Sequence, residues 1–218
     1  MFIGHYGPAF ALKSEDNSIP LWQLFVAVQF VDYLWAGLTL AGYEHFNVVP
    51  GFTATNPLDL YYMPFSHSLT ATLVWAVLVG VWFQKIHGAS MKVALLFGVA
   101  VISHWFTDVL VHIPDMPLYG DQHKMGLGIW NFRALAFVIE LACVGAGIWW
   151  WRHRGAEFKM MPVFALVGVM ALFHMVAFFG MEPPTKTEVS IISLTLFTLF
   201  TVLAYWLVDR PARKLRAD

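Results

Sequence analysis

Residues 91–113 read MKVALLFGVAVISHWFTDVLVHI, a stretch that is both apolar and long. It is long enough to cross a bilayer, since a helix needs about 20 mostly apolar residues to span the hydrocarbon core. The same stretch carries His104, Asp108 and His112, whose spacing of four residues places them on one helical face. Ionisable groups inside a membrane span are costly and are typical of functional sites.

The rest of the chain has the composition of a membrane protein. Of its 218 residues, 59% are hydrophobic and 12% are charged, whereas a soluble domain has about 25% charged residues. The net charge of −1 gives no reason to expect nucleic-acid binding. Six stretches are long enough to cross a membrane: 21–43, 64–86, 91–113, 129–151, 160–180 and 189–208. The sequence predicts an all-α polytopic bundle of about six transmembrane helices, forming a single domain over residues 1–218.

Lysines and arginines indicate which side of the membrane each loop faces. Lys85 and Lys92 flank the turn after the second predicted helix. The others follow the fourth and sixth predicted helices: Arg152, Arg154, Lys159, Arg210, Arg213, Lys214 and Arg216. The positive-inside rule makes this side cytoplasmic. We therefore expect a protein of the inner (plasma) membrane with both termini in the cytoplasm. The loops 44–63 and 114–128 then face outward.

This topology places most intramembrane ionisable residues in the outer half of the bundle. At about 1.5 Å of rise per residue, Asp32, His104 and Glu140 lie roughly 14 to 17 Å below the outer boundary. His67 lies near the outer start of the second predicted helix, and His112 lies at the outer end of the third. A polar cavity that opens outward would hold these side chains together.

Imidazole and carboxylate groups together suit zinc, manganese or iron. We expect a divalent metal, zinc first, bound by His67, His104 and Asp108, with Asp32, His112 or a loop residue completing its shell. Such an ion lowers the pKa of a bound water to about 7, so hydrolysis is the expected chemistry. The alternative for His104 and Asp108 is a structural hydrogen bond, worth about 1 kcal/mol.

Three further residues are candidates for catalysis. Asp32 or Glu140 would serve as the general base. Arg133 precedes Glu140 by seven residues on the same predicted helix, so the two lie on similar faces. We expect Arg133 to form a structural ion pair with Glu140 or to clamp an anionic substrate.

Short motifs in this chain resemble those of the membrane-bound metal-dependent hydrolases of bacterial and archaeal inner membranes. The motifs are Gly4-His5, Ser66-His67-Ser68 where that family has Thr-His-Ser, and Ser103-His104 with Asp108. The family's Asp-x-Asp-His element is not intact, and its candidate replacements are Asp32, Glu44-His45 and Asp59. The resemblance implies a hydrolase and adds His5 as a metal ligand. Because the topology places His5 on the cytoplasmic side, only a re-entrant N-terminus would bring it to the other ligands.

The sequence supports one leading function and two alternatives. The leading hypothesis is a membrane-embedded metal-dependent hydrolase of a lipid-derived or phosphoryl ester, acting on a membrane lipid or a small molecule. The first alternative is a transporter in which Asp32, Glu140, His104 and Asp108 form a proton or cation path. A path needs polar groups down to the cytoplasm, and the inner halves of the predicted helices supply few. The second alternative is an accessory subunit of a membrane complex, and the oligomeric state stays open.

Overall fold

The computed structural model describes residues 1–155, 159–180 and 185–211. These residues form eight α-helices: α1 Tyr6–Lys13, α2 Leu21–Val28, α3 Phe30–Leu40, α4 Leu69–Ile86, α5 Met91–Val111, α6 Arg133–His153, α7 Met160–Phe179 and α8 Lys186–Leu203. A π-helix, Ala204–Asp209, extends α8. Two short strands, β1 His45–Val48 and β2 Leu58–Tyr62, pair antiparallel. The prediction of an all-α helical bundle is confirmed.

The helices α4 to α8 are each long and apolar enough to cross a membrane. A sixth candidate span consists of α2 and α3, which are bent by 50° relative to each other. The sequence predicts one continuous helix over 21–43, but the backbone at Gln29 has φ −95° and ψ 0° and interrupts it. None of the described backbone hydrogen bonds joins the Val28 carbonyl to the Asp32 amide. The break therefore leaves that carbonyl available to a side chain.

Two helices that carry candidate ligands have shorter bounds than the sequence predicts. The helix α4 begins at Leu69 because the Ser68 hydroxyl caps it, accepting a hydrogen bond from the Ala71 amide at 3.1 Å. The helix α5 ends at Val111 because His112 has an extended backbone, with φ −62° and ψ 150°. The candidate ligands His67 and His112 thus lie just outside these two helices.

The N-terminal segment lies inside the bundle. A 3₁₀ turn, Ile3–His5, leads into α1, and His5 and Phe10 are at most 1% exposed. The turn after α1 lies near the basic residues, since Lys92 Nζ donates to the Glu15 carbonyl at 2.5 Å. The segment thus runs from the middle of the bundle to the end that the sequence predicts to be cytoplasmic. Three residues used in that prediction, Arg213, Lys214 and Arg216, lie outside the described residues.

Two glycines let α1 approach α6 closely. A Cβ on Gly147 of α6 would lie 2.1 Å from the carbonyl oxygen of Gly7, and a Cβ on Gly7 would lie 2.3 Å from the carbonyl oxygen of Cys143. Small residues at such crossings are typical of membrane helix packing. This contact fixes the position of His5, which precedes Gly7 by two residues.

Apolar side chains pack in two clusters along the bundle. The inner cluster, toward the predicted cytoplasmic end, includes Phe10, Phe25, Phe97, Val101 and Phe200. The outer cluster includes Trp35, Met63, Trp105, Trp130 and Phe178. On α5 the candidate ligands begin one turn after Val101, so the inner cluster lies between them and the predicted cytoplasmic end.

Candidate metal centre

Five of the sequence-predicted residues meet in the half of the bundle that the sequence predicts to be outward: His5, Asp32, His67, His104 and Asp108. They come from the N-terminal segment, the first turn of α3, the turn before α4, and α5. The Asp32 side chain is 14% exposed, and the side chains of the other four residues are at most 4% exposed. We call these five residues the His/Asp cluster. It includes His5, so the N-terminal segment enters the bundle as this ligand assignment requires.

The side-chain atoms of the His/Asp cluster have the separations expected of ligands to one ion. His104 Nε2 lies 3.0 Å from Asp108 Oδ2 and 3.5 Å from Asp32 Oδ1. His67 Nε2 lies 3.3 Å from Asp32 Oδ1, and His5 Nε2 lies 3.1 Å from Asp108 Oδ1. Two atoms bound tetrahedrally to an ion at about 2.0–2.1 Å are ~3.4 Å apart. Two overlapping triads fit a metal, one formed by His5, His104 and Asp108, the other by Asp32, His67 and His104.

A hydrogen bond between His104 and Asp108 explains this geometry less well than a cation does. Although the two side chains approach to 3.0 Å, His104 Nε2 and Asp108 Oδ2 have no hydrogen-bond partner of good geometry among the described residues. His5 Nε2 is also buried without a hydrogen-bond partner among the described residues. Buried polar atoms normally have partners, and a positive ion would satisfy all three at once. The purely structural reading requires a protonated imidazole ion-paired with Asp108, whereas a bound cation does not.

The opposite ring nitrogens of His104 and His5 are held by the protein. His104 Nδ1 donates to the carbonyl of Val28 at 2.7 Å, the carbonyl that the helix break leaves available. His5 Nδ1 lies 2.8 Å from Thr107 Oγ1, whose own proton points to the carbonyls of Ser103 and His104. His5 therefore donates to Thr107. In both rings Nδ1 carries a proton, so in the neutral form of each ring Nε2 presents a lone pair to the cluster.

His67 is oriented by a relay of two buried groups, Ser66 and Glu44. Its Nδ1 lies 2.7 Å from Ser66 Oγ, which in turn donates to Glu44 Oε2 at 2.5 Å. Glu44 also accepts from the backbone amides of Phe65 and Ser66, each at 2.8 Å. With its proton committed to Glu44, Ser66 accepts from His67 Nδ1. A third imidazole thus turns its Nε2 toward the cluster.

His112 extends the cluster toward the outer surface. Its Nε2 lies 3.3 Å from Asp108 Oδ1, and its Nδ1 lies 2.8 Å from Asp115 Oδ1. The ring also lies on Trp130, with a centroid separation of 3.9 Å. The two oxygens of Asp108 therefore face different histidines, since Oδ1 faces His5 and His112 while Oδ2 faces His104. The amino group of Met1 also contacts Asp108 Oδ1.

Asp32 owes its place in the cluster to the helix break. It lies in the first turn of α3, where the helix dipole favours a carboxylate. Gln29, the residue at the break, donates from its Nε2 to Asp32 Oδ2 at 3.1 Å. A continuous helix would leave the Val28 carbonyl bonded within the helix and would aim Asp32 differently.

Glu140 and Arg133 do not form the pair that their spacing suggests. Glu140 is buried and accepts from the amides of Phe2 at 2.7 Å and Gly4 at 3.2 Å, so it anchors the segment that carries His5. Arg133 is exposed at the start of α6, and its Nε donates to the carbonyl of Ala54. In the described part of the chain no ion pair joins the two residues. Glu140 thus borders the cluster, and Arg133 does not.

Most of the groups that orient the ligands were not among the sequence candidates. Thr107 contacts the ring of His5, which is far away in the sequence, and Asp115 contacts His112 where both lie beyond the end of α5. Of the other candidates for the missing acidic element, Glu44 reaches the cluster through Ser66 and His67, whereas Asp59 accepts from Asn47 at 3.0 Å and His45 is exposed beside Tyr61. Helical spacing therefore carried no signal for these groups.

A cavity of about 190 Å³ lies against the His/Asp cluster. Its polar wall includes Asp32, His67, His112 and Glu140. Its apolar wall includes Trp35, Leu60, Met63, Trp130, Phe178 and Phe197. The cluster is therefore accessible to a small group from one side.

No protein-family model, curated protein or solved structure matches this chain. The resemblance to membrane-bound metal-dependent hydrolases therefore stays a prediction. The helices and the cluster define the general class of this protein: a membrane protein with a buried group of histidines and aspartates that could hold a metal ion.

Proposed function

We propose that this protein is a metal-dependent hydrolase of the inner membrane, with its site open to the outer side. The observation that carries this proposal is the shared orientation of three buried imidazoles. His5, His67 and His104 each engage an oxygen through Nδ1, and each turns Nε2 toward Asp32 or Asp108. Held neutral imidazoles beside carboxylates are typical of metal sites.

The donor set suggests the kind of ion. Three imidazoles and two carboxylates suit zinc, manganese or iron, and they do not suit the all-oxygen sites of magnesium or calcium. Asp32 and Asp108 supply negative charge for a divalent cation, and the Met1 amino group at Asp108 Oδ1 offsets part of it. Zinc is our first assignment because neutral imidazoles with a carboxylate are common catalytic zinc ligands.

A divalent ion at the cluster would supply Lewis acidity and would lower the pKa of a water near it to about 7. The chain's own residues would do the rest. Glu140 lines the cavity, and its Oε1 has no hydrogen-bond partner among the described residues, so it can accept a proton from water. Hydrolysis adds the hydroxide of water to the acid part of an ester and a proton to the departing alcohol. Asp32, partly exposed in the cavity wall, is the second candidate base.

The cation or proton path is a weaker reading of the same residues. A path would have to continue from the His/Asp cluster to the predicted cytoplasmic end. The described residues below the cluster are mostly the apolar inner cluster, with Phe25, Phe97 and Phe200 among its members, and the buried Lys13 and Asp209 lie near the predicted cytoplasmic end. A site reached from one side agrees better with catalysis than with transport.

Metal analysis of the purified protein tests the proposal. Protein prepared in detergent without chelator should contain at least one zinc, manganese or iron per chain by elemental analysis. His104→Ala and Asp108→Ala should each reduce this content to about a tenth or less. His174→Ala is the control for metal content, because His174 is equally buried, bonds the Phe137 carbonyl, and lies 3.9 Å from Glu140 Oε2, which is not a proposed ligand.

The readouts also separate the alternatives. The metal-loaded wild type should hydrolyse p-nitrophenyl esters, and the two cluster variants should lose this activity. Wild-type protein without stoichiometric metal would contradict the proposal. Proton or cation flux into liposomes that depends on His104, in protein without metal, would establish the transporter instead.

A further inference from the structure

The cavity is lined both by polar groups of the His/Asp cluster and by apolar side chains. Trp35, next to His67, and Phe178 and Phe197 on α7 and α8 are buried apolar members of its wall. Such a lining fits a molecule with a reactive polar group joined to a hydrocarbon chain. A freely soluble polar substrate would leave the apolar wall without a function.

The cavity reaches the side of the bundle at α7 and α8. Among the lining residues, Ala177 of α7 is exposed and Ser193 of α8 is partly exposed, as are Phe2, Asp32, Asn56 and Leu58 elsewhere in the wall. Ala177 precedes the end of α7 by two residues, and Ser193 follows the start of α8 by seven. At about 1.5 Å per residue, the opening lies roughly 3 to 10 Å below the outer helix ends. Half of a hydrocarbon core of about 30 Å is about 15 Å, so this depth is within the outer leaflet.

The surface around the opening is apolar. Met175, Val176 and Phe179 on α7 are 50%, 57% and 58% exposed, and Ile191 on α8 is 52% exposed. In a bilayer these side chains contact lipid chains, so the opening and the hydrocarbon phase are continuous. A lipid can reach the cavity without passing through water.

The cavity would hold the ester end of such a lipid, and the rest of its chain would lie at the surface between α7 and α8.

We infer that the substrate is an ester lipid of the outer leaflet, which enters sideways between α7 and α8 at Ala177 and Ser193. The inference rests on the proposed function, whose substrate it names. The ester faces Asp32 and His67, and the first part of the hydrocarbon chain packs against Phe178 and Phe197.

Photocrosslinking in liposomes tests the route without requiring catalysis. The probe is phosphatidylcholine with a diazirine near the ester end of one acyl chain. In wild-type protein it should label peptides that contain Trp35 or Phe197. Ala177→Trp combined with Ser193→Trp should reduce this labelling at least tenfold, and the milder Ala177→Leu should reduce it less. Leu172→Trp is the control, because Leu172 is exposed on the same helix and does not line the cavity.

Hydrolysis of two chromogenic esters completes the test. The double variant should hydrolyse micellar p-nitrophenyl palmitate at least tenfold more slowly than the wild type and bind the same amount of metal. Equal labelling of the double variant and the wild type would overturn the inference. Hydrolysis of p-nitrophenyl acetate by wild-type protein that shows no cavity labelling would overturn the inference and leave the hydrolase proposal standing. Cavity labelling by metal-loaded protein that cleaves no ester would support the lipid site and overturn the hydrolase proposal.

Discussion

Replacing Gly147 by alanine separates the helices α1 and α6 and so tests whether their contact holds the candidate site together. The new Cβ would lie 2.1 Å from the carbonyl oxygen of Gly7, and an ordinary contact begins at 3.4 Å, so the backbones must separate by about 1.3 Å. Overpacking of this kind costs about 1–3 kcal/mol. His5 lies two residues before Gly7 and would move with α1. If the whole strain opposes metal binding, the affinity falls about 5- to 150-fold, since 1.4 kcal/mol is a factor of ten.

The assay measures thermal unfolding in detergent and zinc affinity by competition with a chelating dye. Gly145→Ala is the matched control, because Gly145 lies on the same helix and a Cβ there would have no neighbouring atom within 4 Å. It should be as stable as the wild type or slightly more stable, since alanine favours a helix over glycine by about 1 kcal/mol. Equal unfolding temperatures and equal affinities for the two variants would refute the reasoning. In a His5→Ala background, Gly147→Ala should have little further effect on zinc affinity.

Two further predictions concern the groups behind the ligands and the ion itself. Glu44→Gln and Ser66→Ala should each lower zinc affinity by about 10- to 100-fold, because they release the Nδ1 side of His67. Asp59→Asn alters a contact with Asn47 on the neighbouring strand and should leave the zinc affinity unchanged. Equal losses of affinity in all three variants would contradict the relay. Removal of metal by a chelator should lower the unfolding temperature and zinc should restore it, since a ligand at 100 times its Kd stabilises by about 2.7 kcal/mol; an unchanged temperature would count against a metal site.

Hydropathy predicted the long helices because a bilayer imposes a minimum apolar length on each span. It did not predict the break at Gln29, since residues 21–43 are apolar on both sides of it. The length of an apolar stretch indicates that it lies in lipid. It does not indicate whether the helix is continuous, because continuity depends on the local φ and ψ angles. The docked helix α1 was also missed, because its eight residues are too few to form a span.

The candidate site was predictable where ligands share a helix or a depth. His104 and Asp108 followed from their spacing on α5, and Asp32 followed from its calculated depth. His5 entered only through a resemblance, because its position depends on a contact between Gly7 and Gly147 that are far apart in sequence. The relay from Glu44 depends on long-range packing, which a single sequence does not specify.

The break between α2 and α3 couples the geometry of the candidate centre to the angle between these two helices. A single backbone interruption both frees the Val28 carbonyl that orients His104 and aims Asp32 at the cluster. Straightening the 50° bend would withdraw both groups in one motion. The angle between α2 and α3 therefore sets the positions of the Val28 carbonyl and of Asp32. A change in bilayer thickness or lateral pressure that altered this angle would move both groups together.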